Sequence, residues 1–244
     1  MADWGLQDRV TLITGATGYL GRALATGFAE AGARLFLTGR NEDALSALAK
    51  EIAANTLAVD LTEAAGVDSI VSRVLTEAGR IDTLILNAGT LADGLVAGLT
   101  DDELSRVYEV NLFAAFRMLR ATLKPMILNR GGNIIVVSST AAQRPGVGQA
   151  AYASSKAALE AFVRITARET ANRGIRINAV APGLLAGGMS SRILDDHMDQ
   201  ARAWIPMKRP GQAEEVVPVV LFLASPMSSY VAGQVWCVDG GFTA

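Results

Sequence analysis

Short apolar runs rich in β-branched residues alternate with helix-like stretches along the whole chain of 244 residues. Runs such as Leu84-Ile85-Leu86 are apolar on both faces, which is typical of a parallel sheet covered by helices on each side. No linker or break in composition interrupts the alternation, so it predicts one doubly wound α/β domain over residues 1–244. The sheet is predicted to have seven parallel strands, at Arg9–Thr14, Arg34–Thr38, Asn55–Val59, Asp82–Asn87, Asn133–Ser138, Ile175–Ala181 and Gln234–Val238.

Helical patterns fill the intervals between the strands, but one interval departs from this rhythm. Residues 184–207 follow the sixth strand and contain several glycines and serines before a short helical stretch. A long insertion at the carboxyl edge of a sheet is where a lid over a ligand would lie, and an irregular surface loop is the alternative. The other helices are predicted at about Leu20–Ala31, Glu42–Ala53, Ala65–Ala78, Asp101–Asn129, Ala150–Asn172 and Ala213–Ala224.

Composition excludes several classes of function. A net charge of −2 and a pI near 5.5 favour neither nucleic acid nor an acidic membrane as a partner. One cysteine, Cys237, and one histidine, His197, leave no intramolecular disulfide and no thiolate-cluster or two-histidine metal site. The first residues lack the pattern of a secretory signal, and the longest apolar run, Val216–Ala224, is too short to span a bilayer. We therefore expect a soluble, cytoplasmic protein without a metal.

A glycine-rich turn, Thr14–Gly21, joins the first predicted strand directly to the first helix. Its glycines let the backbone approach a pyrophosphate, and the helix N-terminus supplies N–H groups without intrahelical partners. This context predicts a dinucleotide site of the Rossmann type, and a tight turn without a ligand is the alternative.

The end of the second strand indicates which dinucleotide is bound. A free ribose 2′-hydroxyl favours an acidic residue there, whereas a 2′-phosphate favours a cation. The chain has no carboxylate at this place and has Arg40, whose planar fork suits a phosphate. NADP(H) is therefore preferred and NAD(H) stays open, because Arg40 could also cap the loop. Asp60, after the third strand, could accept a hydrogen bond from the adenine amino group or cap the next helix.

Tyr152 and Lys156 lie four residues apart in a predicted helix, so their side chains share one face. A phenol loses its proton near pH ~10, and proton exchange near neutrality needs a shift worth roughly 4 kcal/mol. An ammonium ~5 Å away would contribute ~3 kcal/mol at an effective dielectric of ~20. With the hydroxyl of Ser139 to bind a substrate oxygen, the set predicts proton transfer to a carbonyl or from an alcohol. Alone, the pair also fits a buried aromatic beside a solvated lysine.

Together these residues resemble the short-chain dehydrogenases/reductases, in their compact single-domain branch, along essentially the whole chain. Seven landmarks occur in the right order, which makes a chance agreement negligible. They are the glycine-rich turn, Asn87-Ala88-Gly89, Asn111, Ser139, the Tyr152/Lys156 pair, Pro182-Gly183 and Asp239-Gly240-Gly241.

The resemblance implies a role for each residue of the site. Tyr152 would be the general acid/base, and Ser139 would orient the carbonyl. Lys156 would lower the tyrosine pKa and hold the nicotinamide ribose, while Asn111 would position a water that relays protons to Lys156. Ser138 precedes the matching position, so the catalytic hydroxyl is assigned to Ser139. The cofactor would be bound by Gly15, Thr17, Gly18, Tyr19, Leu20, Gly21, Arg40, Asp60, Leu61, Asn87, Ala88, Gly89, Tyr152, Lys156, Pro182, Gly183 and Leu185.

The chain also resembles one group within the family, the 3-oxoacyl-acyl-carrier-protein reductases. Asp93, Leu95 and Gln149 fall where those enzymes have the same residues. In that group two arginines dock the acidic carrier protein, and the matching positions here are Arg130 and Arg173. An arginine before a glycine is also common at helix ends, because a cation suits that end of the helix dipole.

Three positions depart from the pattern of the family. Tyr19 stands where the compact branch has a glycine, and Gly187 stands where the family has a threonine that grips the nicotinamide amide. Ser190 or Ser191 would have to compensate for that threonine. Pro218 lies inside a predicted helix, where it should cost a hydrogen bond and bend the helix.

Three functions remain open. The first is an NADPH-dependent ketoreductase of a β-ketoacyl thioester or a similar activated ketone, with an apolar substrate pocket formed by Ala141, Ala142, Val147, Leu185 and Met189. The second is an NAD(P)-dependent alcohol dehydrogenase of a small hydroxylated or cyclic substrate. The third is a cofactor-binding regulator or partner subunit without turnover.

The resemblance further implies a homotetramer, whose dyad would pass through the fourth and fifth helices. Its apolar faces could be supplied by Leu112, Phe113, Phe116, Ala158, Phe162 and Ile165, and the alternative is that these side chains pack on the sheet.

Overall fold

The computed structural model describes residues 3–244, except for the side chains of residues 192–197 and 200. Seven parallel strands form one sheet in the order β3-β2-β1-β4-β5-β6-β7, which confirms the predicted fold class. The order reverses between β1 and β4, and ligands of such sheets bind at this point, outside the carboxyl ends of the strands. The strands are β1 (Val10–Thr14), β2 (Arg34–Gly39), β3 (Asn55–Ala58), β4 (Thr83–Leu86), β5 (Gly132–Val137), β6 (Ile175–Pro182) and β7 (Val235–Val238).

Helices cover both faces of the sheet because successive strand residues point to opposite sides. In β4, for example, Leu84 packs with the helices of one face and Ile85 with those of the other. The first face carries α3, α5 and α6, and the second carries α1, α2 and α8. The helices are α1 (Tyr19–Glu30), α2 (Glu42–Ile52), α3 (Ala64–Ala78), α4 (Asp101–Tyr108), α5 (Ala114–Leu128), α6 (Ala150–Thr170), α7 (Ser191–Trp204) and α8 (Ala213–Ala224). No described helix is long and apolar enough to cross a membrane.

Two helices differ from the sequence prediction. The single helix predicted over Asp101–Asn129 is interrupted by a π-helical turn, Glu109–Phe113, which separates α4 from α5. Helix α8, in contrast, continues through Pro218. Pro218 has no N–H, so the carbonyl of Glu214, four residues earlier, has no donor within the helix. Both residues are exposed, and water can therefore satisfy that carbonyl.

Residues 184–207 form a short helical turn, Gly188–Ser190, followed by α7. The segment is tied to the body of the protein at both ends. At its start, Ala186 N donates to Gly211 O at 2.8 Å, and at its end Met207 N donates to Gly240 O at 3.1 Å.

Candidate active site

A cleft of about 620 Å³ opens at the carboxyl ends of the central strands. All the residues predicted to bind the cofactor line this one cleft, and so do the predicted catalytic residues Ser139, Tyr152 and Lys156. Asn111 lies behind the wall of the cleft and is fully buried. The fold therefore brings together side chains that are spread from residue 15 to residue 185 of the sequence.

The glycine-rich turn forms a cradle at the N-terminus of α1. No side chain caps this helix end, which lines the cleft, so its first N–H groups have no side-chain partner and are available to an anion. A Cβ on Gly21 would overlap the carbonyl oxygen of Gly15, so glycine is required here. Asn87 Nδ2 fixes the turn by donating to Thr14 O at 3.1 Å and to Gly15 O at 3.0 Å. These features fit a dinucleotide pyrophosphate.

The far end of the cleft holds Arg40 and Asp60. Asp60 Oδ1 accepts from Thr62 N at 2.9 Å and from Thr62 Oγ1 at 2.8 Å. These two bonds, and to a smaller degree the charge of Arg40, lower the pKa of Asp60 against the opposing effect of burial. One carboxylate oxygen thus stabilises the turn before α3, and the N-cap of that helix is Glu63 rather than Asp60. Arg40 is exposed at the rim.

Lys156 lies one helical turn from Tyr152 on the face of α6 that meets the cleft. Its ammonium is 5.7 Å from the centroid of the tyrosine ring and donates to Val137 O at 2.8 Å. The side chain is only 2% exposed, and burial lowers the pKa of Lys156 to about 8. A lysine in this environment can gain or lose a proton close to neutral pH.

Burial raises the pKa of Tyr152 above that of a free phenol, while a hydrogen bond with Ser139 lowers it by a smaller amount. The sequence predicts that Lys156 supplies most of a downward shift of this pKa, whereas in the structure burial outweighs any such shift and the pKa is raised. The physical reason is that the low-dielectric pocket disfavours the phenolate, while the ammonium is directed to the carbonyl of Val137. The phenol is consequently protonated at neutral pH.

Asn111 occupies the π-helical turn between α4 and α5. Its Oδ1 accepts from Thr90 N at 2.7 Å, and its Nδ2 donates to Thr90 O and to Ser155 Oγ, each at 3.0 Å. Ser155 Oγ in turn donates to Tyr152 O at 2.7 Å. The side chain of Asn111 thus joins three separate elements, and π-helical turns of this kind often occur at functional sites.

Two adjacent serines at the end of β5 have different surroundings. Ser138 is buried and donates to Glu160 Oε1 at 3.0 Å, and Glu160 is paired with Arg164 at 3.2 Å. Ser139 Oγ accepts from Ala141 N at 3.1 Å and is hydrogen-bonded with Tyr152. This placement supports Ser139 as the reactive hydroxyl. Sequence reasoning missed the buried Glu160, whose only signal is its position one turn after Lys156.

The outer part of the cleft is less apolar than predicted. Ala141, Leu185 and Met189 line it, as expected. Ala142 is not among its lining residues, and Val147 is 92% exposed because the loop before α6 turns it to solvent. Four further lining residues come from distant parts of the chain and were not predicted to line the substrate pocket: Arg144, Gln149, Trp204 and Phe242.

The two serines proposed to compensate for Gly187 are placed differently. Ser190 lines the cleft, whereas Ser191 Oγ donates to Gly188 O at 2.9 Å inside the helical turn. Only Ser190 therefore presents its side chain at the wall of the cleft.

Arg130 and Arg173 lie at the edge of the sheet formed by the amino ends of the strands, whereas the cleft lies at their carboxyl ends. They precede β5 and β6, and both are exposed. A Cβ on Gly174 would lie 2.7 Å from Arg130 O, so the backbone next to Arg173 lies against that of Arg130. The strands that follow separate this edge from the cleft by roughly 20 Å, at ~3.3 Å per residue.

Comparison with known proteins agrees with this geometry. A family model described as enoyl-(acyl carrier protein) reductase matches residues 15–243. The 3-oxoacyl-[acyl-carrier-protein] reductase FabG of Escherichia coli is 35% identical over 237 residues, which cover 96% of this chain and 97% of that protein. The chain belongs to the short-chain dehydrogenase/reductase family. The FabG of Thermotoga maritima is 37% identical over 241 residues, which cover 97% and 98% of the two chains.

Solved structures of other short-chain dehydrogenases/reductases superpose closely. An NAD⁺-bound xylitol dehydrogenase matches with a TM-score of 0.93 at 30% identity, covering 97% of this chain and 99% of that one. A Beutenbergia cavernae protein assigned as an NAD(P)-dependent gluconate 5-dehydrogenase, with bound NADP, matches with a TM-score of 0.94 at 33% identity and covers 99% of each chain. This short-chain dehydrogenase/reductase is thus an NAD(P)-dependent oxidoreductase acting on CH–OH or C=O groups.

Proposed function

We propose that the protein reduces the ketone of a β-ketoacyl thioester with NADPH. The observation that carries the proposal is the convergence of Ser139, Tyr152 and Lys156 in one cleft with the phosphate cradle. The relatives named 3-oxoacyl-[acyl-carrier-protein] reductase, similar over nearly the full chain, support the thioester as substrate.

The chain's own residues bind and protonate the substrate oxygen. When bound, a nicotinamide cofactor would supply the hydride for the carbonyl carbon. Ser139 and Tyr152 hold the carbonyl oxygen between their hydroxyls, which polarises the carbonyl. As negative charge develops on that oxygen, the phenol of Tyr152 donates its proton. Burial keeps the phenol protonated at neutral pH, which is the form that reduction needs.

Lys156 then restores the proton of Tyr152. With a pKa of about 8, the ammonium is a proton donor matched to neutral pH. Asn111 fixes the neighbouring turn of α6 through Ser155, and we propose that a water held near Asn111 connects Lys156 to solvent. A Cβ on Gly89 would lie 3.4 Å from Asn111 Oδ1 and 3.6 Å from Lys156 Nζ, so these groups approach one another beside the cleft.

The preference for NADP(H) rests on Arg40. Its exposed guanidinium stands at the rim of the cleft directly after β2, where a ribose 2′-phosphate would lie. No carboxylate follows β2 before residue 42, so the chain lacks the group that would favour NAD(H).

A substrate and cofactor panel tests the proposal. We expect wild-type protein to reduce acetoacetyl thioesters with NADPH at least tenfold more efficiently than with NADH, the ratio that roughly 1.4 kcal/mol gives. Oxidation of xylitol-like polyols with NAD⁺ but no ketone reduction would instead favour the alcohol dehydrogenase. NADPH binding without turnover of any ketone or alcohol would favour the regulator.

We also propose that an acyl carrier protein docks at Arg130 and Arg173. Because these arginines lie at the sheet edge opposite the cleft, a carrier bound there has to serve the cleft of another copy of the chain. The carrier proposal therefore depends on the predicted homotetramer. The tetramer and the cytoplasmic location both stay predictions.

A further inference from the structure

The outer end of the cleft carries an arginine that has no role in the proposed reaction. Arg144 follows Ser139 by five residues, is exposed, and lines the cleft. Its Nη1 donates to Phe242 O, and its guanidinium carbon lies 4.7 Å from the centroid of the Phe242 ring.

The charges along the cleft single out this arginine. Among the described lining residues, the cations are Arg40, Arg144 and Lys156, and the one carboxylate is Asp60. Arg40 and Asp60 belong to the cofactor end, and Lys156 is buried against Val137. Arg144 forms no ion pair within the described part of the chain. Among the residues whose side chains the structure describes, no carboxylate thus compensates the charge of this arginine.

The surface on which Arg144 stacks is itself held in place. Asp239 accepts from Gly241 N at 3.0 Å and, with its other oxygen, from Thr243 N at 2.9 Å and Thr243 Oγ1 at 2.6 Å. This turn fixes Phe242, and stacking on a fixed ring orients the plane of the guanidinium. The remaining N–H donors of Arg144 are therefore oriented before any ligand arrives, which reduces the entropy lost on binding.

We propose that Arg144 binds an anionic group of the substrate, a carboxylate or a phosphate. The substrate would then be held at two points, its carbonyl oxygen on Ser139 and Tyr152 and its anion on the guanidinium. Both kinds of anion match the planar fork of arginine. This inference rests on the proposed ketone reduction and narrows its substrate to ketones that carry a negative charge.

Two matched substrate pairs test the inference and separate the two anions. Acetoacetate and its neutral methyl ester differ in a carboxylate, while acetoacetyl-CoA and the neutral acetoacetyl N-acetylcysteamine thioester differ in phosphates. In Arg144→Met we expect the KM of the charged member of one pair to rise roughly tenfold or more, the loss of one charge-assisted hydrogen bond. The KM of the neutral members and the Kd of NADPH should stay unchanged. The pair that responds identifies the anion.

Phe242→Ala is the critical control, because it removes the stacking surface and keeps the guanidinium. Phe242→Ala should retain most of the preference for the charged substrate. Arg120→Met, an exposed change away from the cleft, should leave the KM of every substrate unchanged. The inference is overturned if Arg144→Met alters charged and neutral substrates equally, or if Phe242→Ala reproduces Arg144→Met in full. If wild-type protein reduces none of these ketones, the proposed function fails. Calorimetric binding of CoA and acetoacetate to wild type and Arg144→Met then decides the role of Arg144 separately.

Discussion

The aromatic ring of Tyr19 lies against the backbone of Gly187. A Cβ on Gly187 would lie 2.9 Å from Tyr19 Cε2 and 3.0 Å from Cδ2. Gly187 has an extended backbone, φ −158°, which any residue adopts, so the contact alone requires glycine there. The Tyr19 hydroxyl also donates to Gln212 Oε1 at 3.0 Å, beside the start of α8. The two departures from the family pattern, Tyr19 and Gly187, are thus structurally linked, because the Tyr19 ring occupies the space that a side chain at position 187 would need.

This contact predicts a specific coupling between the two positions. Gly187→Ala should displace the start of the 184–207 segment from the cradle and raise the Kd of NADPH roughly tenfold, within the range for overpacking. In the Tyr19→Ala background the same change should have no effect, because the ring is gone. Fluorescence titration of NADPH into the four proteins of this cycle measures the coupling.

Gly188→Ala provides the matched control for this cycle. Gly188 has φ +67°, and a Cβ there would lie 2.9 Å from Tyr19 Cβ, an atom that Tyr19→Ala retains. Its substitution should therefore be costly in both backgrounds. Equal costs for Gly187→Ala in both backgrounds would contradict the assignment.

The parts of the fold that depend on local pattern could be predicted from the sequence. A buried parallel strand such as β4 is continuously apolar, and the cradle is a contiguous strand–turn–helix motif, so both are visible in a short window. The interruption of the helix at Asn111 could not be predicted in this way. Its helical pattern continues across the break, and the bonds that fix Asn111 come from Thr90 and Ser155, which are distant in sequence.

In the site, as in the fold, only relationships between residues close in sequence could be predicted. Tyr152 and Lys156 share one helix, so their spacing predicts their proximity. The pKa of Tyr152 depends on how deeply the fold buries the phenol, and the sequence carries no such information. The stacking of Arg144 on Phe242 joins residues 98 positions apart and has no local signal.

Removing the phenol hydroxyl should separate catalysis from cofactor binding. In Tyr152→Phe we expect kcat for ketone reduction to fall roughly 10³-fold, the contribution of a general acid, with the Kd of NADPH changed less than about twofold. Stopped-flow absorbance and fluorescence titration measure the two quantities. In wild type the reverse reaction should rise with pH in the alkaline range, because it needs the phenolate and burial raises the pKa of Tyr152. Turnover that survives the substitution would refute the acid/base role.

Lys156 should lower the stability of the protein at neutral pH. Burial depresses its pKa from 10.5 to about 8, so between those values the unfolded chain binds more protons than the folded one. Stability should therefore rise as pH increases through this window, and the burial cost is complete below pH 8. At pH 7 that cost is about 3 kcal/mol, because one unit of pKa shift corresponds to about 1.4 kcal/mol.

Lys156→Met should accordingly be inactive, and its stability relative to wild type should be greatest at pH 7 and fall by about 3 kcal/mol as pH approaches 10.5. Urea unfolding at several pH values, without cofactor, measures the difference. Lys50→Met, on the exposed face of α2, serves as the control and should show no such pH dependence. A Lys156→Met protein whose stability relative to wild type is independent of pH would contradict the assigned pKa.

Arg40 should decide between the two nicotinamide dinucleotides. Arg40→Ala removes the guanidinium next to β2, and we expect the KM of NADPH to rise roughly tenfold to a hundredfold, while the KM of NADH is unaffected. Arg22→Ala, which removes an exposed arginine of α1 that is paired with Glu51, is the matched control. Steady-state kinetics with both cofactors provide the comparison. Equal changes in the two KM values would show that Arg40 supports the loop rather than the 2′-phosphate.

The apolar face of α5 and α6, which belong to the fourth and fifth helices of the sequence prediction, provides a test of the predicted homotetramer. Phe116 is 46% exposed and stacks on Phe162 with ring centroids 3.7 Å apart, and Ile165, three residues after Phe162 on α6, is 51% exposed. Large apolar side chains exposed together are typical of an interface, because leaving them in water is costly. A charge placed there by Phe116→Glu should therefore reduce the molar mass measured by sedimentation velocity from that of four chains. Ser72→Glu, an exposed change on α3, should leave the assembly intact, and a wild-type monomer would refute the prediction because the face would then be stable in water.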